Sequence, residues 1–169
     1  IKAMGWPREV QQCRLVESTR FVFLGTVIDT VEQSFSLPAS RAERLTSQTR
    51  DLVNATAIYD WVPAREVAQL LGLLWAASPC CPRGVAVMCR GFIATLTAEM
   101  RRSVYDPALN DGPNRHSAST STLLRRILAT FWDGTVAWSD DAAADLAFWA
   151  GVDFFNLSAP ISADTMEVA

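Results

Sequence analysis

The stretch Phe21–Leu45, FVFLGTVIDTVEQSFSLPASRAERL, decides the fold. Phe21, Phe23, Val27 and Ile28 fall within residues 20–28 with few breakers between them, which predicts one strand. Gln33–Leu37 alternates apolar and polar as a second strand, so the two form a β-hairpin turning near Thr30–Glu32. Pro38 then suits the first turn of a helix, where its missing N–H costs nothing. Ala42, Leu45, Thr49, Leu52 and Val53 follow at helical spacing and predict about four turns.

Working outward, the rest of the chain reads as helices. Pro63 opens a second one, with Val67, Leu70, Leu71, Leu74 and Ser78 on one stripe and Pro79 at its end. Gly72 inside it costs about 1 kcal/mol against alanine, which predicts a neighbour packed closely at that point. From Gly84 to Val104, the positions Val87, Phe92, Leu96 and Met100 predict a third helix, whose C-terminal Arg101 and Arg102 suit the helix dipole. Residues 106–121, rich in Asn, Asp, Gly, Pro and Ser, read as a surface loop or insertion. Thr122–Phe131 reads as a fourth helix. Ser139 caps a fifth, with Asp140 and Asp141 at its positive end, an apolar stripe of Leu146, Trp149, Val152 and Phe155 or Phe154, and a stop at Asn156 and the LSAPI segment. The expected fold class is therefore mainly α with a short N-terminal β-hairpin, without internal repeats.

Composition narrows the functional classes. At 169 residues and 50% hydrophobic, the chain can bury a core of one domain or two small ones. No apolar run approaches the ~18 residues of a membrane span, because Gln69, Arg90 and Asp153 interrupt the longest candidates. The start, IKAMGWPREVQQ, has no apolar signal region and does not open on methionine, so an excised middle segment is expected. Through Arg126 there are 15 basic residues against 11 acidic ones, a net +4, whereas the remainder holds 7 acids and no base. Phosphate binding would therefore use the front of the chain, through arginine, since Lys2 is the one lysine. Solvated helix faces are the competing reading of those arginines.

Catalytic constellations are sparse. Cys13, Cys80, Cys81 and Cys89 lack a CxxC spacing and His116 is the sole histidine, so neither a zinc site nor a disulfide framework is expected. Buried, reduced thiols of an intracellular protein, cytoplasmic or nuclear, fit better. His116 lies in a loop beside Asn114, Arg115 and Ser117, which suits an inert surface histidine better than a hydrolase triad. The Gly-rich phosphate loop and the dinucleotide turn are absent, so no cofactor is expected. Trp61, Trp75, Trp132, Trp138 and Trp149 could stack on bases, although their helical apolar spacing favours core packing.

The FLGTVIDT and SFSLPASR segments together resemble the palm–thumb junction of reverse transcriptases from long-terminal-repeat and DIRS-like retrotransposons. REVAQLLGLLWAASP resembles that family's second thumb helix, and WSDDAAADLAFWAGVDFFNLSAPI the connection that precedes ribonuclease H. The similarity runs along nearly the whole chain. It implies that residues 1–38 are the end of a palm with its primer-grip hairpin and 39–105 a helical, thumb-like domain. Residues 106–121 would be a loop or insertion, and 122–169 a helical connection segment. Phe23, Leu24 and Gly25 would form the grip on the primer strand, and Arg41 and Arg44 would face phosphates of an RNA/DNA or DNA duplex. The competing readings are a buried hairpin face for Phe23 and Leu24, and a solvated helix edge paired with Glu43 for the two arginines.

The resemblance also predicts that this segment carries no catalytic residue. The family's polymerase carboxylates would precede residue 1 and those of ribonuclease H would begin near or beyond residue 169, in flanking palm and ribonuclease H domains. Where the family has an asparagine and a lysine ahead of FLG, this chain has Glu9 and Gln12, and Gln12 cannot give up a proton as an ammonium can. No YxDD-type pair occurs, and Asp140 and Asp141 stand in a helix-start context. The expected function is a noncatalytic grip on template–primer duplex. The alternative is a degenerate or domesticated fragment serving as a structural or protein-interaction module, with the acidic end as an interaction face.

Overall fold

The computed structural model describes residues 18–81, 84–105, 129 and 131–161. The expected surface loop at 106–121, the expected helix at 122–131 in its greater part, His116, and the Glu9 and Gln12 positions lie outside the described residues.

Three short strands open the described chain: β1 (Arg20–Phe23), β2 (Thr26–Asp29) and β3 (Ser34–Ser36). Residues 20–28 are thus not one strand. A two-residue turn at Leu24–Gly25 folds them into a hairpin in which Phe23 faces Thr26 and Arg20 faces Asp29. Both turn residues have positive φ, 48° at Leu24 and 79° at Gly25, as the type I′ turn of a tight hairpin requires. The second turn, β2 to β3, falls where the sequence places it. The Asp29 carboxylate accepts the backbone N–H of Val31 and of Glu32, each at 3.0 Å, and so closes that turn from the side chain.

Pro38 sits just ahead of α1 (Ala39–Thr56), which buries Ala42, Leu45, Thr49 and Leu52. A short strand β4 (Trp61–Pro63) leads into α2 (Ala64–Ala76), whose buried stripe is Ala64, Val67, Leu70 and Leu74. The expected helix from Gly84 begins later: a 3-10 turn at Val87–Cys89 precedes α3 (Arg90–Tyr105). Strand β5 (Thr135–Ala137) pairs antiparallel with β4, setting Val62 opposite Val136, both fully buried. Ser139 then caps α4 (Asp140–Ala150), its Oγ accepting from the Ala142 N–H at 3.2 Å, as the cap reading requires. This helix stops at Gly151, earlier than expected, so Phe154 reaches the core from the turn beyond it while Phe155 points outward.

The expectation of a mainly α fold is corrected by the sheets. The chain ends its described part in β6 (Ser158–Pro160), which pairs antiparallel with β3 and completes a four-stranded sheet of order β1-β2-β3-β6. With the β4–β5 ribbon, the architecture is a mixture of α and β. The physical reason is strand length. WVP, TVA and SAP are three residues each, too short to display an alternating pattern, and exist as strands only through partners 74 and 124 residues away, Val62 with Val136 and Phe35 with Ala159. Strands from the front and the back of the chain consequently share one sheet.

The core sits between α1, α2, α3 and α4 and against the ribbon, with Leu45, Val67, Leu74, Phe92, Phe131, Leu146 and Trp149 among its members. Helices α3 and α4 approach closely at Gly91, where a Cβ would run into the Asp141 backbone. Asp145 of α4 caps α3 from outside, its Oδ2 accepting the N–H of Gly91 at 2.7 Å and of Phe92 at 3.2 Å. Such a carboxylate is well placed at a helix N-terminus, where unpaired N–H groups concentrate positive potential. Thr95 and Ser139 join their hydroxyls at 2.9 Å across the same junction, and the Trp149 indole donates to the Met88 carbonyl at 2.7 Å. Gly72 is the converse case. It is exposed with open space where a Cβ would stand, so the expected close neighbour is absent.

Candidate nucleic-acid interface

The β1–β2 hairpin projects an apolar tip. Phe23 is 59% exposed and Leu24 85%, so the buried-face reading of these side chains does not hold. The positive φ of the turn points the Leu24 side chain away from the sheet, and Val22 beside it is also half exposed. Val31, in the next turn, adds a further exposed apolar side chain at 70%.

Behind the tip, Arg41 works as a strut. Its Nη1 donates to the Gly25 carbonyl at 2.9 Å and to the Ala76 carbonyl at 3.2 Å, joining the hairpin turn, the first turn of α1 and the end of α2. The Ala76 carbonyl is one of the last of its helix, where negative potential gathers and a guanidinium is favoured. Glycine is needed at 25 on two counts: its φ is one that other residues rarely adopt, and a Cβ there would run into the Arg41 guanidinium. The structure thus brings Gly25 and Arg41 together. It leaves Arg44 one turn along α1, exposed and with no carboxylate in ion-pair reach among the described residues. Arg41 is half-buried, and its Nη1 is engaged by two backbone carbonyls.

The remaining arginines are dispersed. Arg50 lines a groove against Trp149 and Val152, Arg102 a cleft with Glu99 and Ser139, and Arg90 and Arg101 flank the outer face of α3. Arg20 lies 3.9 Å from Asp29, and Arg65 pairs with Asp133 at 2.9 Å, both on the surface. Of the tryptophans, Trp149 is core, as the spacing predicts, whereas Trp61 and Trp75 are half exposed. Trp61 lies beside Tyr59 with ring centroids 5.2 Å apart.

The three described cysteines carry no sign of reactivity. Cys80, Cys81 and Cys89 are free thiols. Burial pushes Cys80 up to about 11, with a further rise from Cys81 and a smaller opposing pull from Arg41. Burial also raises Cys81 to about 11 and Cys89 to about 12. A thiol so shifted holds little of the nucleophilic thiolate near neutral pH. Among the described residues no three His, Cys, Asp or Glu side chains group as a metal site, and no helix is long and apolar enough to cross a membrane.

Sequence reasoning found the tip and Arg41 but missed what links them. The pairing of Arg41 with Gly25 spans 16 residues and two kinds of secondary structure, and no local pattern announces it. The two-residue turn was hidden in the sequence, because Leu24 is not the asparagine, aspartate or glycine that usually marks the first place of such a loop. No protein-family model matches the chain, and neither the curated proteins nor the solved structures yield a match.

Proposed function

We propose that this chain is a noncatalytic segment of a reverse-transcriptase-like protein that grips template–primer duplex through its phosphate backbone, working inside the cell between palm and ribonuclease H domains. The observation that carries this reading is the exposed Phe23–Leu24 tip, held at fixed height by the Arg41 strut with exposed Arg44 one turn away. A rigid apolar tip beside a guanidinium suits a sugar–phosphate edge, where the ring and methyl groups lie against sugars and the cation meets a phosphate. Arg44 takes the phosphate contact in this reading, and Arg41 positions the tip.

A second reading is favoured by a separate observation. The arginines line different clefts, and the tip with Val22 and Val31 is more apolar than basic. Both features suit a fragment retained as a protein-interaction module.

Fluorescence anisotropy of a labelled RNA/DNA primer–template separates the two. Duplex gripping predicts binding that weakens steeply between low and physiological salt and is lost in Arg44→Glu and in the Phe23→Ser, Leu24→Ser double variant. Absence of binding by the folded chain at low salt rejects the grip and leaves the interaction module. Arg41→Glu is the poorer probe, because it removes the strut as well as a charge.

A further inference from the structure

The groove between α1 and the end of α4 combines an apolar interior with a single charge. Its walls include Arg50, Val53 and Val152, and its base is formed by Thr49, Trp149 and Phe154. The Trp149 and Phe154 rings are stacked, 10° from parallel with centroids 6.2 Å apart. The volume is about 210 Å³, below the ~300–1,000 Å³ of ordinary ligand pockets, which limits an occupant to about one ring. Among the described residues, Arg50 is the one charged side chain lining the groove, and no carboxylate pairs with it.

An independent feature lies at the base. Thr49 is 2% exposed, and its hydroxyl has no hydrogen-bond partner among the described residues. A helical threonine ordinarily satisfies its hydroxyl on the carbonyl one turn back, and Thr46 does so, donating to the Ala42 carbonyl at 2.9 Å. Thr49 forgoes that bond although a buried hydroxyl is costly to leave unpaired. One χ1 step carries the hydroxyl to the place of the methyl, which moves to that of the hydrogen, a change between staggered wells.

We propose that this groove binds a small monocarboxylate with a single-ring or branched apolar body. The carboxylate lies against the Arg50 fork and takes the Thr49 hydroxyl as a further donor, while the body covers the base between Val53 and Val152. One cation selects a monoanion, and the guanidinium fork matches the planar geometry of a carboxylate. The site is separate from the hairpin tip and does not depend on duplex binding.

The test is calorimetric titration of the full chain with phenylacetate, with protonated phenethylamine as the charge-reversed control of like size. The expected result is saturable binding with Kd of about 1 mM or tighter for a ligand of about ten non-hydrogen atoms, and none for the amine. Arg50→Gln is expected to weaken phenylacetate binding by about tenfold or more, the weight of a charge-assisted hydrogen bond. Thr49→Val distinguishes a ligand contact from a packing role, because it is expected to weaken binding while leaving the melting temperature equal or higher. Val53→Trp, at a position 36% exposed and so tolerant of bulk, fills the groove and is expected to abolish binding in a folded chain. Equal binding of acid and amine, unchanged affinity in Arg50→Gln, or no saturable binding by the folded wild-type chain overturns the proposal.

Discussion

Arg41 holds Gly25: one guanidinium nitrogen donates to the Gly25 carbonyl at 2.9 Å and to the Ala76 carbonyl at 3.2 Å, fastening the hairpin turn to two helices. Charged hydrogen bonds of this kind contribute about 1.5–3 kcal/mol when buried, and this one is only partly so. Arg41→Ala is therefore expected to lower the stability of the chain by about 1–2 kcal/mol in urea denaturation. Arg41→Lys recovers only part, since the shorter lysine stem does not carry its ammonium to the place of Nη1 between the two carbonyls. An unchanged midpoint in Arg41→Ala rejects the strut.

Gly25→Ala meets the same relationship from the other side. The φ of 79° is strained for alanine by about 1–2 kcal/mol, and the new methyl displaces the guanidinium. Because both substitutions break one contact, the double variant Gly25→Ala, Arg41→Ala is expected to cost less than the sum of the singles. Strict additivity in a double-mutant cycle counts against the coupling.

Two helical glycines should respond with opposite signs. Gly91→Ala forces a methyl into the Asp141 backbone, where neither helix can yield cheaply, and is expected to destabilise by about 1–3 kcal/mol. Gly72→Ala meets open space on an exposed helix face and is expected to stabilise by about 0.5–1 kcal/mol. Thermal melts of the two single variants check both, and a melting temperature that falls in Gly72→Ala contradicts its placement.

Asp145 caps a helix to which it does not belong. Asp145→Ala leaves the Gly91 and Phe92 N–H groups unpaired and is expected to cost about 1–2 kcal/mol, in the range of helix caps generally. Asp145→Asn retains an acceptor and should cost less. Equal losses in the two variants, read by denaturation, exclude the capping role.

The buried thiols give a pH dependence of known sign. Cys80 and Cys89 are raised from 9.0 to about 11 and about 12 in the folded chain, so the unfolded chain loses their protons first as pH rises. Their contribution to stability is intact below about pH 9 and is lost as pH climbs toward 11–12. Stability measured at pH 7.5 and at pH 10 should fall by less in a Cys80→Ala, Cys89→Ala double variant than in the wild-type chain. Reaction of these thiols with a maleimide at pH 7.5 should likewise be much faster in denaturant than in buffer.

The sequence by itself determined the elements whose information is local. The stripe Ala42, Leu45, Thr49 and Leu52 set the buried face of α1, Val67, Leu70 and Leu74 that of α2, and Ser139 followed by two aspartates the start of α4. Helical periodicity repeats every turn, and a cap acts within three residues, so neither needs a distant partner to be read. Phe23, Leu24 and Gly25 were legible as a distinctive segment, but the turn inside it was hidden under apolar residues that read as one strand.

Only the tertiary structure decided the sheets and the duties of single side chains. Ser158–Pro160 becomes a strand because Ser34–Ser36 offers it an edge, and Trp61–Pro63 because Thr135–Ala137 does. It likewise fastened Arg41 to the Gly25 carbonyl as a strut, and made Asp145 the cap of another helix. These pairings join residues far apart in sequence, and their stability comes from burial and hydrogen bonds that form only once the chain has closed around them.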